Sequence, residues 1–310
     1  MSERLHGVAR CRWCGEPFKL IYDFQWICRS PACADRQTSE AVLKLDTCEV
    51  PWPSPFIFLP LPLQVEIEEA PVKRLLVHGR SGISKSYGGR WHLIKRCRKI
   101  PGYAALLLRC TYDQLEKNHL QFLDMESRLL GDAKYEKGTP KRLTLSNDST
   151  IRFGYCQDRA DIPQHTGPEW DEVVIEEAVQ MLPDAIAEIM SRDRGAPTSR
   201  AYRIPHDIRS GRTRLLTNPG GRAALFLREF FIDKNPDKSE FEKYNPKWYG
   251  AMTGDFRDNP YLDEDFEDAN LGGLSKDRWE QLARGNWDVF PGQFFEAWNP
   301  SVHVVDMEAI

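Results

Sequence analysis

Residues 74–86 read RLLVHGRSGISKS, and this stretch decides the fold. Its first six residues form a short apolar run of the kind that makes a strand buried on both faces, and a helical pattern follows to about Lys99. Between them lies Gly79-Arg80-Ser81-Gly82-Ile83-Ser84-Lys85-Ser86, close to the phosphate-loop pattern GxxxxGK[ST]. In such a loop the backbone N–H groups cradle phosphates. Lys85 would meet the β- and γ-phosphates, the Ser86 hydroxyl would ligate Mg²⁺, and the helix that follows would add its positive end. Ser84 departs from the pattern, because glycine is usual there. If the backbone takes φ > 0 at this point, a Cβ costs on the order of 1–3 kcal/mol.

Strand and helix patterns alternate outward from the loop. AALLLRC (104–110) and EVVIEE (172–177) read as buried strands, and so does RLLTNP (214–219). A long helical stretch covers 111–130 and a shorter one lies near 183–192. RLTLSN (142–147) and TIRFGYC (150–156) read as a hairpin turning at Asn147-Asp148. The alternation predicts an α/β core with a mainly parallel sheet flanked by helices. The organisation expected is a cysteine-bearing head (1–40), a proline-rich connector (41–70), an ATPase-type core (71–255) and a lid or linker of short helices (256–310). EVVIEE ends in two carboxylates, Glu176 and Glu177. Phosphoryl-transfer ATPases need one acid there for the magnesium shell and a second to activate water.

The 310 residues suffice for a full core, and 41% hydrophobic with 28% charged residues excludes a disordered chain. A net charge of −4 excludes a polybasic nucleic-acid arm, so any DNA contact must be local. The most apolar run, Phe56 to Leu63, is short and interrupted by Pro60 and Pro62, so no membrane span is expected. MSERLHGVARCRW has no apolar segment of a secretory signal. Cys48, Cys97, Cys110 and Cys156 are then read as small buried hydrophobes in a reducing compartment. Cys11, Cys14, Cys28 and Cys33 form two pairs of C-x2-C and C-x4-C type. Four thiolates so spaced suit a tetrahedral Zn²⁺ closing a ribbon too small for its own core.

Further stretches carry a family likeness: LPLQ (61–64), HTGPEWDEVVIEEA (165–178), TNPGGRAALFLREFFID (217–233) and, in the tail, DNPYL (258–262) and RGNWD (284–288). With the phosphate loop, they resemble the ATPase region of the bacteriophage terminase large subunit, the DNA-packaging motor, over about residues 60–305. The resemblance implies ATP hydrolysis with Mg²⁺, coupled to moving double-stranded DNA into a procapsid in the host cytoplasm. It implies Glu176 as the magnesium-coordinating acid, Glu177 as the catalytic glutamate and Asn218 as the residue coupling hydrolysis to movement. Gln64 resembles an adenine-contacting glutamine, or is a surface residue. Arg80 and Arg109 are candidates for the transition-state arginine, or are structural ion pairs. The portal protein, the small terminase subunit and a homo-oligomeric ring are the implied partners. In this family a nuclease domain follows the ATPase. The chain ends at Ile310, where that domain would start, so a truncated chain or a split gene without nuclease activity is expected. The competing readings are a helicase-type ATPase and a silent zinc- and DNA-binding module whose loop has decayed through Ser84.

Overall fold

The apolar runs assemble into one eight-stranded sheet. The computed structural model describes residues 8–10, 17–22, 25–26, 61–202, 211–259 and 261–289. In chain order the strands are β1 (Arg74–Gly79), β2 (Ala104–Arg109), β3 (Ala133–Glu136), β4 (Lys141–Leu145), β5 (Thr150–Tyr155), β6 (Glu172–Glu176), β7 (Arg212–Leu216) and β8 (Tyr249–Gly254). Their spatial order is β8-β1-β7-β6-β2-β5-β4-β3. The pairings from β8 to β5 are parallel, and β4 and β3 extend that edge antiparallel.

The central strands are apolar throughout because both faces are covered. Leu75, Val77, Leu107 and Val174 pack on one face with Trp91 and Ile94 of helix α2 (Lys85–Lys99), which follows helix α1 (Pro62–Glu69). Leu76, Leu106, Leu108 and Ile175 pack on the other, with Ile186 and Ile189 of a helix at Pro183–Met190. Cys97, Cys110 and Cys156 are buried free thiols, as expected. No helix among the described residues is long and apolar enough to cross a membrane.

The hairpin of β4 and β5 turns at Asn147-Asp148, with Asp148 at φ 64°. β3 and β8 differ from expectation, since neither reads as a strand in sequence. AKYE carries two charges and YGAMTG two glycines. Each forms because a neighbouring strand templates it, β4 for one and β1 for the other. The 111–130 helix is also not uniform. A turn at Tyr112–Leu115, capped by Thr111, passes through a π-helical turn at Glu116–Leu120 into a helix at Gln121–Leu130. In the head, strands at Val8–Arg10, Pro17–Tyr22 and Gln25–Trp26 pair antiparallel in sequence order. The four cysteines expected to hold zinc lie outside the described residues.

At the start of β6, Glu172 is fully buried. It takes contacts from His92 Nε2 (2.8 Å) and the Tyr103 hydroxyl (3.0 Å), with Arg214 at 3.7 Å and Arg96 at 3.9 Å. Burial raises its pKa, and His92, Arg214 and Arg96 more than reverse this, so the carboxyl stays below the usual range. This stabilisation is present above the ordinary carboxylate range and is lost as pH falls toward the depressed folded value. Glu172→Gln leaves buried cations unanswered and should cost about 3–5 kcal/mol in guanidinium denaturation at neutral pH. Glu136→Gln, on an exposed pair with Arg142, should barely move the midpoint.

Candidate active site

Parallel register brings three strand ends to one edge, with β1 running two residues further than the other two. Leu216 of β7 pairs with Val77 of β1 and with Glu176 of β6. The residues that follow, Gly79–Ser86, Thr217-Asn218 and Glu177, therefore converge at the carboxyl edge of the sheet, where open α/β sheets bind ligands. At this edge lies a cavity of about 420 Å³ lined by residues 81–87 together with Glu177 and Asn218. Arg90, Asn118 and Phe122 line it too, as do Asn259, Tyr261 and Leu262.

The loop is shaped by neighbours. Gly79 turns at φ 107°, and the Thr253 side chain occupies the space a Cβ would need. Gly82 sits at φ 82° against Leu262 and Phe266. Ser84 does take the left-handed conformation, φ 60° and ψ 34°, so the strain expected of a Cβ there is present. Gln64 supports it: its Nε2 lies 3.4 Å from Ser84 O and 3.3 Å from Ser84 Oγ, and its Oε1 accepts from Leu61 N–H at 3.0 Å. Gln64 therefore stands on α1 as a brace on the loop and does not line the cavity.

Lys85 is buried, and its ammonium donates to Arg80 O (2.9 Å) and Asn218 Oδ1 (2.7 Å). Burial lowers its pKa to about 8 against the opposing pull of Glu177 and Glu176. The two acids have divided environments. Glu176 is fully buried, and its Oε2 accepts from Arg109 Nη1 and His119 Nε2, both at 2.9 Å. Burial raises its pKa, but His119, through charge and hydrogen bond, and the Arg109 and Arg90 cations outweigh burial and hold it at about 2. Its Oε1 is buried without a partner. Glu177 is half-buried at φ 48°, and burial raises its pKa despite Lys85 and Arg109 nearby. One acid is thus held ionised, and the other is moved toward the range useful to a proton acceptor.

Both candidate arginines are ion-paired: Arg80 with Asp255 at 2.8 Å, beside the Phe256 ring, and Arg109 with Glu176. Arg80 does not line the cavity. Sequence reasoning misses Arg90, Asn118 and His119, whose stretches read only as helix. It reads the tail motifs as part of a lid or linker and gives them no contact with the loop. Asn259 of DNPYL donates to Gly82 O at 2.6 Å, Ser81 N–H donates to Leu282 O at 2.8 Å, and Trp287 of RGNWD donates to His78 Nδ1 at 3.0 Å. The tail thereby folds back onto the Gly79–Ser86 loop and the strand before it.

Residues 73–286, more than half of the chain, match the family model described as phage terminase large subunit. The chain belongs to the phage terminase large subunit family. Its fold resembles the large terminase from a thermophilic bacteriophage, with TM-score 0.56 and 12% identity over 74% of this chain and 54% of that one. It also resembles the same thermophilic-phage protein in complex with ADP, with TM-score 0.55 and 13% identity over the same shares. Against the ATPase domain of the Thermus phage P74-26 large terminase the TM-score is 0.51 and identity 16%, over 81% of this chain and 98% of that domain. The chain spans about half the length of the thermophilic-phage terminase and nearly all of the P74-26 ATPase domain. No curated protein matches it.

Ser84→Gly removes the left-handed penalty and should raise stability by roughly 1 kcal/mol in thermal denaturation. An unchanged or lower midpoint would mean that the Gln64 brace outweighs the strain.

Proposed function

We propose that the chain is the ATP-hydrolysing motor domain of a terminase large subunit, driving double-stranded DNA into a procapsid. The observation carrying this is the meeting of Lys85 and Ser86, at the head of α2, with Glu177 and Asn218 around one cavity at the sheet's carboxyl edge. In this reading residues 71–255 are the ATPase core and the segment after them is a lid closing on the loop through Asn259 and on the strand before it through Trp287.

Each residue has a role set by its surroundings. The loop N–H groups and the end of α2 receive the phosphates. Lys85 leaves Asn218 to meet the β- and γ-phosphates, and Asn218, released, senses the change. Glu177 orients water and accepts its proton. Gln64 acts through Ser84 on loop shape, and an adenine contact would require its amide to leave Ser84. Arg109 acts through Glu176, and Arg80 reaches a phosphate only by leaving Asp255.

Mg²⁺ suits the donors present. Glu176 offers a buried Oε1 with no partner, and Ser86, which lines the cavity, offers a hydroxyl. Magnesium takes one or two such protein ligands and fills its shell from phosphates and water. Bound there, it would neutralise charge on the β- and γ-phosphate oxygens. Zn²⁺ would be held by Cys11, Cys14, Cys28 and Cys33, a donor set suited to a closed structural site. The expected partners are double-stranded DNA, portal, small terminase subunit and further copies in a ring, in the host cytoplasm.

Steady-state ATPase assays with and without double-stranded DNA test the reading. Lys85→Ala should lose at least about 100-fold in turnover. Glu177→Gln should bind ATP normally and hydrolyse it about 10²–10⁴-fold more slowly. Unchanged turnover in either variant contradicts the assignment. Elemental analysis should find about one zinc per chain, lost in Cys11→Ser; protein free of metal would contradict the zinc site.

A further inference from the structure

Beneath the cavity runs a chain of buried polar contacts that no motif announces. Arg90, on α2, is gripped by Glu126 through two bonds, Nε to Oε2 at 3.0 Å and Nη2 to Oε1 at 2.7 Å. Its guanidinium lies 5.6 Å from the ring centres of both Tyr87 and Phe122. The remaining contacts come from one nitrogen: Nη1 donates to Asn118 O at 3.2 Å and faces His119 Nδ1 at 2.9 Å. Four of its five N–H groups are thus engaged, and the guanidinium has one position. On its other side the His119 ring meets Glu176 Oε2 through Nε2, at 2.9 Å. His119, Glu126 and Glu176 are each at most 1% exposed.

Donor and acceptor roles follow by elimination. A guanidinium only donates, so His119 Nδ1 must accept and carries no proton. Nε2 then holds the ring's proton and donates it to Glu176. The π-helical turn at Glu116–Leu120 makes this possible. It shifts the register so that the Asn118 carbonyl and the His119 ring both face Arg90, while Leu115 and Leu123 stay in the core. Arg109 binds the same oxygen of Glu176, so both donors lie on Oε2 and Oε1 is left without a partner.

We propose that Arg90 and His119 are positioning residues for Glu176, the arginine fixing the histidine's tautomer and the histidine fixing the carboxylate so that Oε1 faces the magnesium shell. The inference rests on the functional reading above, and it adds a link from the cavity wall, where Arg90 sits, to the strand-end acid. Ion ligands in other metal sites are oriented in this way, and loss of the orienting partner costs about 10–100-fold in metal affinity.

Two measurements test it. On the nucleotide-free wild type, ¹⁵N-histidine NMR should show His119 with its proton on Nε2 and a bare Nδ1; a proton on Nδ1 would overturn the proposal. In the second, Mn²⁺ is titrated by EPR into protein saturated with ADP, and ADP binding is measured separately in EDTA. His119→Leu should weaken Mn²⁺ at least about tenfold while ADP in EDTA binds as before. His119→Gln, whose amide can accept from Arg90 and donate to Glu176, should restore the metal affinity. Equal Mn²⁺ affinity in wild type and His119→Leu would overturn this inference alone. A wild type that binds no ADP would overturn the functional reading and this one with it. If His119→Leu fails to fold, the tautomer measurement and His119→Gln still decide.

Discussion

A lysine ammonium taken out of water must be answered by something, and much of this site is the answer to Lys85. Its charge is met by a carbonyl of its own loop and by Asn218 from the adjacent strand end, with the carboxylates of Glu176 and Glu177 nearby. The partners come from three chain segments, so the contacts can form only if β1, β7 and β6 end at the same edge of the sheet. The parallel register of the sheet meets that condition. Burial without a full counter-charge also keeps the ammonium's pKa low and the group poised for an anion of higher charge than an amide oxygen.

The same economy of position explains how neighbouring acids take different parts. Glu176 faces inward, where Arg109 and His119 keep it ionised at the cost of fixing one oxygen. Glu177 sits one residue on, with positive φ, and lines the cavity. A carboxylate one methylene longer than aspartate suits the inner role, because it must span from the strand to two donors on different elements. The tail completes the site from outside, since Asn259, Leu282 and Trp287 hold the loop by its carbonyl, its N–H and the strand before it.

How much of this is legible in the sequence depends on where each signal resides. β1, β2 and β6 are readable because covering both faces demands unbroken apolar runs, and the position of Lys85-Ser86 at the head of α2 is readable from the strand–glycine–helix pattern around it. β8 is not: YGAMTG has no intrinsic strand preference and pairs only because β1 offers an edge. Arg90 and His119 look like ordinary helical polar residues, as their partners lie 36 and 57 positions away. Ser84 stands out in the sequence as a strained position and is one, but its brace by Gln64, 20 residues upstream, requires the fold. From sequence the role of Arg109 is open between a transition-state arginine and an ion pair, and the structure pairs it with Glu176. The four cysteines expected to hold zinc lie outside the described residues.

In the proposed reading the Lys85–Asn218 contact holds the place of a nucleotide's terminal phosphates. A crystal structure of the chain with ATPγS and Mg²⁺ tests this most directly. Lys85 Nζ is expected to leave Asn218 for the β- and γ-phosphates, with Ser86 and Glu176 holding the metal. A nucleotide bound elsewhere, with Lys85 still on Asn218, would contradict it.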